Sequence, residues 1–213
     1  MSGSKIVLIT GANKGIGFEI AKQFASEYKG YHILLGSRDV GHGMKAAESL
    51  QKEGLSVEAL TIDVADDRSI EAAAQTVKSK FGRLDVLINN AGISLDSFTG
   101  QPPTRAIFEQ TFAVNLFGAA STTEAFIPLL EKSAAARPVF VSSDLGSLTL
   151  RADPEGRHNP MSVPAYRRSK VNISSPYRPG TVEDGAKGAV RLATLGEDGE
   201  TGTYSEKEGP LPW

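Results

Sequence analysis

Along this chain five short apolar runs, at 6–10, 32–36, 57–62, 84–88 and 139–142, alternate with longer segments of helical period. The runs are continuous rather than alternating, the pattern of strands buried on both faces. Helices between them predict a parallel sheet covered on either side. In the first gap Ile16, Ile20 and Phe24 recur every fourth residue, one apolar stripe on a helix. In the third, Ile70, Ala73, Val77 and Phe81 repeat the stripe, with Asp66 or Asp67 as N-cap and Gly82 as stop. Residues 103–132 predict a long helix carrying Phe108, Phe112, Asn115, Phe126 and Leu130, with Pro128 ending or bending it near its last turn. Residues 144–164 are polar and rich in Gly and Pro, which predicts a surface insertion. Helical period returns over 181–195, opened by Thr181 with Asp184 three residues on, and Thr203-Tyr204 suggests a short last strand. No repeat and no linker divides residues 1–213. The expectation is one α/β domain of the doubly wound, Rossmann type.

Charge and composition narrow the function. Twenty-three basic against 25 acidic residues leave a net charge of −2, so no strong field draws the chain to nucleic acid or an anionic membrane. The absence of cysteine excludes a disulfide scaffold, a thiolate metal site and cysteine nucleophilic catalysis. The first apolar run is too short for a signal segment or a membrane span, and a cytoplasmic protein is expected. Of the histidines, His32 falls in a strand, His42 in a turn and His158 in the polar loop; none suggests a metal site or a rival mechanism.

The candidate chemistry begins where the first strand meets the first helix, at Gly11, Asn13, Lys14, Gly15, Ile16 and Gly17. Glycines there let backbone approach a pyrophosphate, whose charge the helix start favours. The second strand ends at Gly36-Ser37-Arg38, where a free ribose 2′-hydroxyl would want an acid and a 2′-phosphate would want a cation. Arg38 and Lys14 together favour NADP over NAD, while Asp39 keeps NAD open.

These motifs, with SRD at 37–39, LDVLINNAGI at 84–93, NLFG at 115–118, VSS at 141–143 and YRRSK at 166–170, occur in the order found in classical short-chain dehydrogenases/reductases, and the sequence resembles their carbonyl-reductase branch. The resemblance implies that Asp63 hydrogen-bonds the adenine amino group, that Val64 lies beside the ring, and that Asn90, Ala91 and Gly92 line the cofactor. It also leaves the asparagines a role in satisfying backbone groups of the sheet. It implies a catalytic set of Asn115, Ser143, Tyr166 and Lys170. Tyr166 would donate a proton and Ser143 would orient the carbonyl oxygen, Ser142 being the alternative serine. Lys170, one helical turn on, would favour the phenolate, and Asn115 would hold a relay water. The substrate implied is a small-molecule ketone or aldehyde.

The pattern breaks after Lys170. The family continues this helix, adds a sixth parallel strand and then a substrate lid, whereas here 171–180 leads straight into the next helix. A helix returning over a five-residue strand needs about 11 residues, and only four separate Tyr166 from Val171. A βα unit of roughly 30 residues is therefore expected to be missing, leaving the sheet without one of the family's seven strands. Two readings follow: an NADPH-dependent reductase, or a catalytically silent nucleotide-binding protein derived from one. The shortened second helix favours a monomer over the family's dimer or tetramer.

Overall fold

The computed structural model describes residues 3–96, 103–147, 163–170 and 182–195, with short strands at 205–206 and 209–210. Five parallel strands, β1 (Lys5–Ile9), β2 (Tyr31–Ser37), β3 (Val57–Thr61), β4 (Val86–Asn89) and β5 (Arg137–Phe140), form one sheet in the order β3-β2-β1-β4-β5. Register is continuous: Val7 faces Ile33 on one side and Val86 on the other, and Pro138 of β5 faces Leu87. The chain belongs to the Rossmann type, with five strands in its parallel sheet among the described residues. The short strands β6 (Ser205–Glu206) and β7 (Gly209–Pro210) pair antiparallel in a separate sheet; the expected strand at Thr203-Tyr204 lies outside the described residues.

Both faces of the sheet are covered, which explains the unbroken apolar runs. Val7 and Ile9 point to one layer, Ile6 and Leu8 to the other. Helices α1 (Gly15–Glu27) and α2 (Val40–Lys52) cover the first face with Ile20, Phe24 and Leu50. Helix α3 (Asp67–Phe81) covers the second with Ile70 and Val77. Asp66 caps α3 by accepting from the Arg68 amide at 3.1 Å, and Gly82 ends it in the left-handed region. Asp66→Ala is expected to cost about 1 kcal/mol and lower the melting temperature by roughly 2–4 °C; calorimetry checks this.

The long helical run starts at Arg105 and ends at Leu130, with a change of winding inside it: α4 (Arg105–Phe112), a π segment (Ala113–Gly118) and α5 (Ala119–Leu130). Pro128 is accommodated, and the helix stops two residues later. This run is long and apolar enough to cross a membrane by length and composition, yet Phe126, Leu129 and Leu130 belong to the core beneath the sheet.

Several boundaries differ from expectation. Strand β5 sits two residues earlier than predicted because the Arg137 amide bonds the Asp85 carbonyl, which starts the ladder there. His42 lies in the first turn of α2 rather than in a turn, because Asp39 accepts from its amide at 2.7 Å and caps the helix. The start of the expected surface insertion is not at the surface: Asp144, Gly146 and Ser147 are buried in and just after a 3-10 turn (Asp144–Gly146). Residues 148–162 and the junction at 171–180 lie outside the described residues. Two more helices complete the described part, α6 (Pro164–Lys170) and α7 (Val182–Thr194). The latter lays Ala186, Ala189, Val190 and Ala193, one stripe of small side chains, into the core shared with α1.

Candidate active site

Strand order reverses between β1 and β4, and a crevice opens beyond their carboxyl ends. Thr10 ties the two ends together: its hydroxyl oxygen accepts from the amides of Asn90 and Ala91, each at 3.0 Å. Asn90 returns the tie, donating from Nδ2 to the carbonyls of Thr10 (2.9 Å) and Gly11 (3.1 Å). That packing explains two glycines. Gly11 adopts φ +63°, and a Cβ there would stand 2.8 Å from the Ala91 Cα. A Cβ on Gly17 would collide with the Asn90 amide and the Gly11 carbonyl. The asparagine therefore both satisfies backbone groups and lines the crevice.

Helix α1 opens on the crevice with no side-chain cap at Lys14, so its first amides face a site suited to an anion. The cleft encloses about 660 Å³. Every residue expected to hold the cofactor lines it: Gly11, Asn13, Lys14, Gly15, Ile16 and Gly17 at one end, Arg38, Asp63 and Val64 beside them, then Asn90, Ala91 and Gly92, and finally Tyr166 and Lys170. These groups fit a dinucleotide: a glycine floor that a Cβ would fill, exposed cations at Lys14 and Arg38, and an apolar wall of Ile62 and Val64. Asp39, by contrast, is engaged as the cap of α2, and the His42 amide holds its carboxyl below the usual carboxylate range.

At the far end the expected catalytic residues converge unevenly. Lys170 is 5% exposed, donates to the Val141 carbonyl at 2.9 Å, and lies 5.8 Å from the centre of the Tyr166 ring. Burial lowers its ammonium pKa to about 8. Asn115, in the π segment, accepts from the Ile93 amide and donates to the Ile93 carbonyl, both at 2.8 Å, and donates to Ser169 Oγ at 2.9 Å. A methyl group at Gly92 would stand 3.4 Å from both Asn115 Oδ1 and Lys170 Nζ, so these groups meet beside the strand β4 segment. Ser142 lines the cleft and donates to the Lys170 carbonyl at 3.0 Å. Ser143 is buried beside it, donating to Asp144 at 3.3 Å and accepting from the Leu145 amide at 3.3 Å.

Sequence reasoning missed Ile62, Ile93, Ser94, Val114 and Val141 along the cleft, and two participants from elsewhere in the chain. Val182, the first residue of α7, reaches the cleft wall. Asp96, 3% exposed, accepts from the backbone of α6. A signal for the latter existed: α6 begins at Pro164 after Val163, and neither side chain can cap it.

The short chain dehydrogenase family model matches residues 5–153. This chain belongs to that family. Its members are oxidoreductases that work with a nicotinamide cofactor, and the glycine-floored cleft is the candidate place for one. Short-chain dehydrogenase/reductase ATR10 of Stachybotrys chlorohalonatus is 35% identical over 262 positions, covering 100% of this chain and 95% of the relative. That alignment is 49 positions longer than the 213 residues here, consistent with a chain shortened relative to its family. The (+)-neomenthol dehydrogenase of Arabidopsis thaliana is 41% identical over 165 residues, 68% of this chain and 55% of the relative. Among solved structures, menthone neomenthol reductase from Mentha piperita superposes with a TM-score of 0.76 at 28% identity, covering 93% of this chain and 97% of that one.

Proposed function

We propose that the chain is an NADPH-dependent reductase of a small ketone or aldehyde. The observation that carries this reading is the presence of Tyr166 and Lys170 in the same cleft as the glycine turn and Arg38. The cofactor, when bound there, supplies a hydride to the carbonyl carbon. The chain's task is then to place a proton on the oxygen that gains charge. Tyr166 donates that proton from its phenol. Lys170, still charged below about pH 8, favours the phenolate left behind.

The serine role is assigned to Ser143, whose hydroxyl donates to Asp144 here and would have to turn to reach a substrate oxygen; Ser142, on the cleft wall, donates to the Lys170 backbone carbonyl. The side chain of Asn115 is committed to Ile93 and Ser169, which take both Nδ2 hydrogens.

For cofactor choice the argument is electrostatic. Arg38 and Lys14 offer two exposed cations to a 2′-phosphate, while the acid that would take a 2′-hydroxyl caps α2. NADPH is expected to bind at least tenfold more tightly than NADH, and Arg38→Asp to erase or reverse that difference, since a charge-assisted contact is worth about 1.5–3 kcal/mol. Fluorescence titration of both nucleotides measures it, and equal affinities in the unaltered protein would exclude the 2′-phosphate reading.

NADPH oxidation against a panel of ketones and aldehydes tests the activity. Tight NADPH binding with no oxidation across the panel would select the second reading, a silent nucleotide-binding protein, which the buried Ser143 and the shortened chain support.

A further inference from the structure

We propose that Asp96 is the positioning residue that aims Tyr166, by capping from a distant loop the helix that carries it. The inference rests on the reductase reading above. Helix α6 has seven residues and opens Pro164-Ala165-Tyr166. Proline has no amide hydrogen, and Val163 before it has no side-chain acceptor. The first amides that need a partner are those of Ala165 and Tyr166.

Asp96, 69 residues earlier in sequence, supplies it. Its Oδ2 accepts from the Ala165 amide at 2.6 Å and from the Tyr166 amide at 3.4 Å. The first of these is a short, buried, charge-assisted bond. The other carboxylate oxygen accepts from Ser94 Oγ at 3.4 Å.

The loop that presents Asp96 is itself anchored. Asn115 grips both backbone groups of Ile93, and its Nδ2 also reaches Ser169, whose hydroxyl donates to the Tyr166 carbonyl at 2.7 Å. Asp96 thus holds the first turn of α6 and the Asn115–Ser169 contact holds its last turn, both referred to the segment leading from the cofactor wall. A helix this short does not hold a direction by itself. The Tyr166 hydroxyl is therefore aimed by Asp96, while Lys170, at the other end, keeps its bond to Val141 without it.

The test compares Asp96→Ala and Asp96→Asn with the unaltered protein. It reads kcat, KM, NADPH affinity, melting temperature and amide exchange at Ala165 and Tyr166. Asp96→Ala is expected to lower kcat by about ten- to a hundredfold, because a misaimed donor fails in the transition state. KM and NADPH affinity should stay within about threefold, and exchange should accelerate at Ala165 and Tyr166 while the β1–β2 amides keep their protection. Asp96→Asn, which keeps an oxygen acceptor, should recover most of kcat. Unchanged kcat in the alanine variant, or a loss that the asparagine variant does not relieve, overturns the positioning role. If the unaltered protein oxidises no NADPH, the reductase reading fails and the role in turnover fails with it. The exchange arm then decides the cap alone: unaltered protection at Ala165 and Tyr166 overturns it, and accelerated exchange upholds it.

Discussion

Tyr166→Phe is expected to cut carbonyl turnover by about a thousandfold while leaving NADPH affinity within about threefold. Removing one oxygen deletes the proton donor, and general acid catalysis contributes roughly a hundred- to ten-thousandfold. The ring is half-buried and supported through its backbone by Asp96 and Ser169, so the phenylalanine keeps its place in the cleft wall. Stopped-flow oxidation of NADPH with the best substrate reads the loss, and nucleotide titration reads the retained binding. Substantial turnover in the variant would assign proton transfer to another group. The same chemistry sets the pH profile. Lys170 carries its charge below about pH 8, so kcat/KM for reduction should hold near neutrality and decline as pH rises through that value.

Lys170→Met is expected to do two opposite things: abolish turnover and raise stability. Burial depresses the ammonium from its ordinary 10.5 to about 8, which means the folded state resists the charge that the unfolded chain carries freely. Between those values the unfolded state binds more protons, so stability rises with pH from about 8 to about 10.5. Below about 8 the whole penalty is present. A methionine of similar length removes it at neutral pH, and losing the bond to the Val141 carbonyl offsets part of the gain. A net stabilisation of about 1–3 kcal/mol is expected, visible as a higher urea midpoint with an unchanged slope. A methionine variant less stable than its parent at pH 7 would mean that the lysine is not a burdened cation. The site would then be one where stability is given up for reactivity only in name.

What was legible in the sequence was local. The glycine turn, the stripe of Ile16, Ile20 and Phe24, and the Asp66–Gly82 limits of α3 each depend on residues within a few turns of one another. That these residues would line one cleft was legible for a related reason: in a parallel sheet the strand ends that form it are fixed by order alone, and each end carries its own motif. The π segment could not be read, since weak helix formers such as Val114, Asn115 and Gly118 do not by themselves specify a wider turn, and its side-chain partner, Ile93, is 22 residues away in the segment after β4. Asp96 does not stand out in the sequence because the backbone amides it caps are 69 and 70 positions away. His42 was misread because Gly41 and Gly43 around it suggest a turn, whereas the cap at Asp39 and the close fit of Gly43 against Ser37 start a helix there.

Strand β5 is the margin of the sheet, with no further strand beside it among the described residues. Its amides at Arg137 and Val141 point inward to the carbonyls of Asp85 and Asn89, so by the two-residue alternation of a strand the nitrogen of Pro138 faces outward. That nitrogen carries no hydrogen. A shortened family member that leaves this margin open would offer a template for another chain to add itself, the first step toward aggregation. Here the rung in the middle of the open side lacks its donor, and the positively charged Arg137 precedes it. The residue that looks least suited to a strand thus denies an added strand one of the donors it would need along this margin.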